Sequence, residues 1–211
     1  MPNLKLIWVA LIIILGTVVV PTFAQPTISG DLSGSLGPGE FAVVGEITVL
    51  AGTTLTIMPG TTLLHRGHYT WIIEGQLTAE GTESDSIKFI REQPITSNNW
   101  GGIRFVPTFP VQNNLFYCVI DKAVNSGVSG GGIYIMGNHL TMQNCRVSRC
   151  YVDYPNEGGG IYAYYSSTLH LEECLLDSNT GYNGGGGIYL NYCNGATVDN
   201  CTITRNMSPG T

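Results

Sequence analysis

The chain has 211 residues and a formal net charge of −6, and only 11% of its residues are charged, against the ~25% usual for soluble domains. Gly 28, Thr 21 and Asn 15 set its character, which excludes a helical bundle or a βαβ protein, since neither tolerates so much Gly and Thr inside its elements. A hydrophobic content of 43% with 11 Tyr excludes disorder, and an acidic balance with scattered cations excludes a basic nucleic-acid binder.

Residues 1–24 read as a secretory signal. Lys5 supplies the positive start, Leu6 to Val20 an apolar run broken only by Gly16 and Thr17, and Thr22-Phe23-Ala24 the small residues of a cleavage site. The run falls short of the ~20 residues a spanning helix needs, so cleavage after Ala24 is expected, with no membrane span in the mature chain. One β domain is expected over 25–211. Its first part, residues 25–40, is rich in Gly and Ser and is expected to cover the N-terminal open edge.

Residues 41–113 carry short alternating segments that read as strands: Ile47-Thr-Val49, Leu55-Thr-Ile57, Ile72-Ile73, Leu77, Ile87-Lys-Phe89 and Ile103-Arg-Phe105. Pro59-Gly60, Glu74-Gly75, Glu80-Gly81 and Gly101-Gly102 mark the turns between them.

Residues 114–211 repeat regularly. Gly-Gly-Ile-Tyr recurs at Gly131–Tyr134, Gly159–Tyr162 and Gly186–Tyr189, with its Ile positions spaced 28 and 27. Between these copies lie Leu140–Val147, Leu169–Leu176 and Ala196–Ile203, preceded by a weaker copy at Leu115–Ile120; their cysteines form the series Cys118, Cys145, Cys174 and Cys201. Each copy alternates, breaks for two residues and alternates again with the same residues inward, so the break is a corner between two strands. Asn144 and Asn200 suit such corners because Asn tolerates left-handed backbone angles. Three short strands per 27–29 residues make one coil of an all-β parallel β-helix, each coil ~4.8 Å above the last. About six to seven coils fit from Phe41 onward. The residues after Asn206 stop where another loop would begin, so the chain is expected to be a piece of a longer solenoid, truncated at its C-terminal end.

At these residues the sequence resembles the right-handed parallel β-helix (pectin-lyase-like) superfamily, and more narrowly the repeats of bacterial polymorphic outer membrane proteins. Those repeats pair a Gly-Gly-small/apolar-apolar element with a Phe-x-x-Asn element. The first is similar to Gly131-Gly132-Ile133-Tyr134 and its two copies, the second to Leu176-Asp-Ser-Asn179 and Ile203-Thr-Arg-Asn206. Ala51–Leu63 and Trp100-Gly-Gly-Ile-Arg-Phe105 resemble the first coils of exported bacterial β-helix proteins. The resemblance implies the fold and leaves the activity open, since lyases, hydrolases, adhesins and inert stalks share it.

Candidate chemistry is thin. The four stacked cysteines are expected to be free inward thiols, with Cys150 and Cys193 in other columns; Cys-x-x-Cys pairs that would hold zinc do not occur. Asn179 and Asn206, each five residues after a column cysteine, are expected to form an amide ladder. Polysaccharide lyases of the resembling superfamily use a Ca²⁺-binding acidic cluster beside a basic Arg or Lys. The nearest match is Asp121, Asp177 and Arg149, although the two carboxylates are two coils apart, ~9.6 Å by stacking, too far to share one Ca²⁺ unaided. These charges are otherwise expected to be outward and solvated, as is the acidic loop Asp153–Glu157. His65, His68, His139 and His170 are all expected at the surface.

The outward Tyr134, Tyr162 and Tyr189 column, with Tyr164, Tyr165 and Tyr192 beside it and Tyr151, Tyr154 and Tyr182 in the preceding loops, is the candidate ligand-binding face. The same column could equally stabilise the sheet as a cross-strand ladder. The sequence therefore points to an exported protein of the outer membrane, cell surface or extracellular space. It would display a repetitive non-catalytic face to an extracellular glycan or to a surface protein of a host or neighbouring cell. No cofactor is expected. The alternative is a polysaccharide lyase or glycoside hydrolase working along one sheet, and only the lyase would call for Ca²⁺.

Overall fold

The computed structural model describes residues 24–93, 100–106, 109–165 and 168–210. The expected signal segment, apart from Ala24, lies outside the described residues. All strand pairing is parallel, and no helix occurs among the described residues. A first rung holds β1 (Thr27–Asp31), β2 (Gly34–Leu36) and the front of β3 (Gly39–Val49). The first coil continues from the back of β3 through β4 (Thr54–Ile57) and β5 (Thr61–His65). The second is β6 (Trp71–Ile73), β7 (Gln76–Glu80) and β8 (Ile87–Arg91). The third is β9 (Ile103–Phe105), β10 (Gln112–Phe116), β11 (Cys118–Asp121) and β12 (Val124–Asn125). The fourth is β13 (Ile133–Met136), β14 (His139–Gln143), β15 (Arg146–Ser148) and β16 (Tyr151–Val152). The fifth is β17 (Ile161–Tyr164), β18 (Thr168–Glu172), β19 (Leu175–Asp177) and β20 (Thr180–Gly181); the sixth is β21 (Ile188–Asn191), β22 (Thr197–Asp199) and β23 (Thr202–Thr204).

These strands stack into long faces. One face runs β21-β17-β13-β9-β6 to the back of β3, a second runs from the front of β3 through β5-β8-β11-β15-β19-β23, and a third runs β2-β4-β7-β10-β14-β18-β22. The architecture is thus the expected β-helix, with a refinement. From the third to the fifth coil a fourth, two-residue strand is added, and β12, β16 and β20 form a small sheet of their own. Residues 27–36 pair in parallel with the next coil, so they form a rung of the stack.

Alternation decides what is inside. Phe41, Leu63, Phe89, Ile120, Val147, Leu176 and Ile203 register directly above one another. The five middle members, Leu63, Phe89, Ile120, Val147 and Leu176, are fully buried. Burying each such side chain contributes about 1.5–3 kcal/mol. Two residues before this column stand Ile87, Cys118, Cys145, Cys174 and Cys201, and immediately before the cysteines the chain turns its corner. Tyr117, Asn144, Glu173 and Asn200 make that turn at φ 49, 53, 52 and 51, all left-handed. A backbone N–H just past such a corner points away from the neighbouring coil's carbonyl, and a thiol substitutes. Cys118 N–H donates to Cys145 Sγ (3.4 Å), whose S–H donates to Leu115 O (3.0 Å). All six cysteines are free.

The glycine pairs have a steric cause. A Cβ on Gly131 would lie 2.3 Å from Gly159 O, one on Gly159 2.2 Å from Thr180 C, and one on Gly186 2.2 Å from Met207 O. No side chain fits where those strands begin.

Two expectations are corrected here. His65 is buried, at 1% exposure, because it follows Thr61 and Leu63 on the inward side of β5. Its ring stacks on Trp100 (centroids 4.2 Å, 16°), accepts the Trp71 Nε1–H at Nε2 (2.9 Å) and so carries its own proton on Nδ1, donated to Ile90 O (2.9 Å). Burial lowers its pKa from 6.5 to about 4. Asp121 and Asp177 are not solvated charges: they are 7% and 5% exposed, each covered by an arginine one coil on.

Candidate functional site

The strands β13, β17 and β21 set the tyrosines in exact step, Tyr134 beside Tyr162 beside Tyr189. Their rings stack almost parallel, 5.5 Å apart at 10° and then 5.5 Å apart at 2°. This geometry changes what the column offers. Each ring face covers its neighbour, so a ligand meets a ridge of ring edges and phenol hydroxyls.

The column has a fourth member that the repeat hides. Gly101-Gly102-Ile103-Arg104 aligns with Gly-Gly-Ile-Tyr, and Arg104 registers beside Tyr134. Its guanidinium carbon sits 4.0 Å from the Tyr134 ring centroid, a cation–π cap on the end of the stack. The sequence signal was present in the Gly-Gly-Ile spacing.

Two positions further along the same outward side, Tyr164 lies 6.4 Å from Tyr162 by ring centroid. Tyr165 and Tyr192 follow at the next corner, both left-handed (φ 48 and 54), and stack at 4.8 Å and 9°. They are more than half exposed, and the coil before offers Gly137 beside Tyr165. Tyr154 and Tyr182 meet edge to face in the adjoining loops. The structure therefore joins Tyr134, Tyr162, Tyr189, Tyr164, Tyr165 and Tyr192 into one aromatic field.

The residues considered for catalysis are engaged elsewhere. Asp121 accepts two bonds from Arg149 (Nε 2.8 Å, NH2 2.6 Å) and one from Ser148 Oγ (2.8 Å). Asp177 accepts two from Arg205 (2.7 and 2.7 Å) and one from Ser178 Oγ (3.0 Å). Arg205 holds the Asp177 carboxyl below the usual carboxylate range, so it stays charged and paired. Both oxygens of each carboxylate are thus already engaged by an arginine one coil on. Among the described residues no group of three or more His, Cys, Asp or Glu could hold a metal ion.

Asn206 Oδ1 accepts from both Asn179 N–H (2.9 Å) and Asn179 Nδ2 (3.0 Å), and Asn179 Oδ1 in turn accepts Cys150 N–H (2.9 Å). Cys150 thus stands at the head of the asparagine column. Desolvation pushes its thiol up to about 12, and burial also raises Cys145, which leaves no ready thiolate nucleophile in either thiol.

An open hollow of about 440 Å³ lies on the third face, lined by Thr141, His170, Leu171, Glu172, Thr197 and Asp199. His170 Nδ1 bonds Thr197 Oγ1 (2.8 Å) across it.

A family model described as a right handed beta helix region matches residues 90–211, more than half of the chain. The chain belongs to this family. Neither the curated proteins nor the solved structures contain a match. Within the family, the third to sixth coils are the matched part, and they carry Arg104 and the whole tyrosine field.

Proposed function

We propose that this is an exported, non-catalytic β-helix protein of the cell surface or extracellular space whose tyrosine-ribbed face contacts an extracellular glycan. One observation carries the reading: three phenols repeat at 5.5 Å along the solenoid, about one sugar residue of an extended polysaccharide apart. A polymer laid along the axis meets a phenol at each step, the Tyr134 hydroxyl donating to Met136 Sδ (3.4 Å), and the edge-on rings add apolar contact between hydroxyls. The export part of the reading rests on residues 1–24 and on the likeness to exported bacterial β-helix proteins. The engagement of Asp121 and Asp177 with arginines favours binding over hydrolysis or lyase chemistry.

Tyr162→Phe separates a binding face from a mere sheet-stabilising ladder. It keeps the ring stack and removes one hydroxyl. On an array of extracellular polysaccharides the variant should bind several-fold more weakly than wild type at an unchanged melting temperature. Equal binding by the variant would remove the phenol row from the function. Binding to a host-cell surface protein with no glycan retained would replace the ligand class.

A further inference from the structure

Three of the described arginines are matched by carboxylates in the same way. Arg66 holds Glu92 through Nε and NH2 (2.9 and 2.8 Å), Arg149 holds Asp121, and Arg205 holds Asp177. Arg104 is different. It lies more than half buried on the tyrosine face, and its polar contact is Ser129 O at 3.5 Å from NH1, at the outer limit of a hydrogen bond. No salt bridge joins it to an acidic residue among the described residues, and every Asp and Glu of the chain lies within them. Its neighbours in the column are Ile72 on the coil before and Tyr134 on the coil after, both uncharged. Glu157, in the loop beside the column, accepts Ser129 Oγ at 3.0 Å instead.

A partly desolvated guanidinium keeps its charge at a cost that a ring face offsets in part, and the fork of donors not turned toward the ring still matches an oxyanion. The place of Arg104 then matters more than its isolation. It stands at the end of the phenol row, so an anion seated on it begins a track that runs over Tyr134, Tyr162 and Tyr189. We propose that the ligand of this face is an anionic glycan, with a sugar sulfate or carboxylate on the Arg104 guanidinium and the following sugars along the three phenols. This rests on the glycan reading above and names the ligand class for the same face. A net charge of −6 gives a polyanion no general attraction to the chain, so capture would depend on this one seat.

The test uses immobilised dextran sulfate, hyaluronan and unmodified dextran, which offer sulfate, carboxylate and neither. Wild type should be retained on at least one of the first two and not on dextran, with retention falling as salt rises. Arg104→Gln should weaken that retention at least tenfold, and Arg104→Lys, which keeps the charge over the ring but loses the fork, should recover part of it. The arm retained tells sulfate from carboxylate. Thermal melts of both variants check that the stack still folds; the Lys variant keeps the test decisive if Gln unfolds the coil. Retention on dextran that Tyr162→Ala abolishes and Arg104→Gln leaves unchanged would overturn the anionic ligand while keeping the glycan face. Retention on none of the three and on no neutral polysaccharide of the array would overturn both.

Discussion

The two halves of this solenoid fill the same cross-section by opposite means. From the first to the third coil the interior is a set of unlike large rings. Phe89 meets Trp71 edge to face at 5.4 Å, Trp100 lies over His65 at 4.2 Å, and Trp100 Nε1 reaches across to Asp121 O (2.8 Å). From the fourth coil on, the interior is columnar: Cys above Cys, Leu or Val above Leu, Asn above Asn. Early polar groups find partners particular to one place; later ones find the same residue one coil away. A defect in the first half should therefore be local and large, and a defect in the second shared between neighbouring coils and smaller.

The largest effect expected from this contrast is at Trp100. Trp100→Ala empties a fully buried site and removes the ring on which His65 stacks, and should cost about 4 kcal/mol. It would be read as a fall in the urea midpoint at constant slope. A loss below about 1 kcal/mol would mean that the early core collapses around the cavity as easily as a columnar one.

His65 makes the first half pH-sensitive as well. The unfolded chain binds a proton near pH 6.5 and the folded chain only near 4, because burial strips water from the charged ring. Stability from this group is complete above about pH 6.5 and declines as pH falls toward about 4, by about 3 kcal/mol in all. Urea melts at pH 7 and 4.5 should show the decline, and His65→Leu should flatten that part of the curve. An unchanged pH dependence in His65→Leu would move the effect to the carboxylates.

In the columnar half, Asn179→Ala leaves the buried Cys150 N–H without a partner and takes from Val147 O the bond donated by Asn179 Nδ2, and should cost about 2 kcal/mol. The sharing argument makes a further demand: the asparagine above, Asn206, loses the bond that its Oδ1 accepts from Asn179 Nδ2 and keeps only the one from the backbone N–H of residue 179. Amide exchange should therefore quicken across the fifth and sixth coils together. Exchange confined to Cys150 would break the contrast between the halves.

The strands and their stacking were legible because alternation is a local property. The inward side of Leu63 already implied an inward His65, and the repeat at Gly101-Gly102-Ile103 already implied that Arg104 joins the tyrosines. What no local pattern carries is coverage from another coil. Asp121 alternates as an outward residue, yet the Arg149 side chain, 28 residues later, closes over it. The partners of His65 lie 6 and 25 residues away, and no residue near it announces them. The tyrosines' outward direction could be read, but their near-parallel stacking, which turns a platform into a ridge, depends on the step between coils.

The smallest effect tests whether repetition also repeats strain. The corner before the column cysteine demands a left-handed residue in each regular coil, and it is filled by Tyr117, Asn144, Glu173 and Asn200 in turn. Asn accepts that conformation readily, whereas Glu is held in it at a cost of about 1–2 kcal/mol, against which Gly loses about 0.5–1 kcal/mol of chain entropy. Glu173→Gly should therefore stabilise the fifth coil by about 0.5–1 kcal/mol, and Asn144→Gly should gain nothing. Glu173 is exposed and its N–H donates to Asp199 O (3.0 Å), a bond that Gly keeps, so at high salt, where the lost carboxylate charge is screened, the difference between the two midpoints reports backbone strain. Equal gains at both corners would show that the columnar half relieves the turn by some means other than the residue that occupies it.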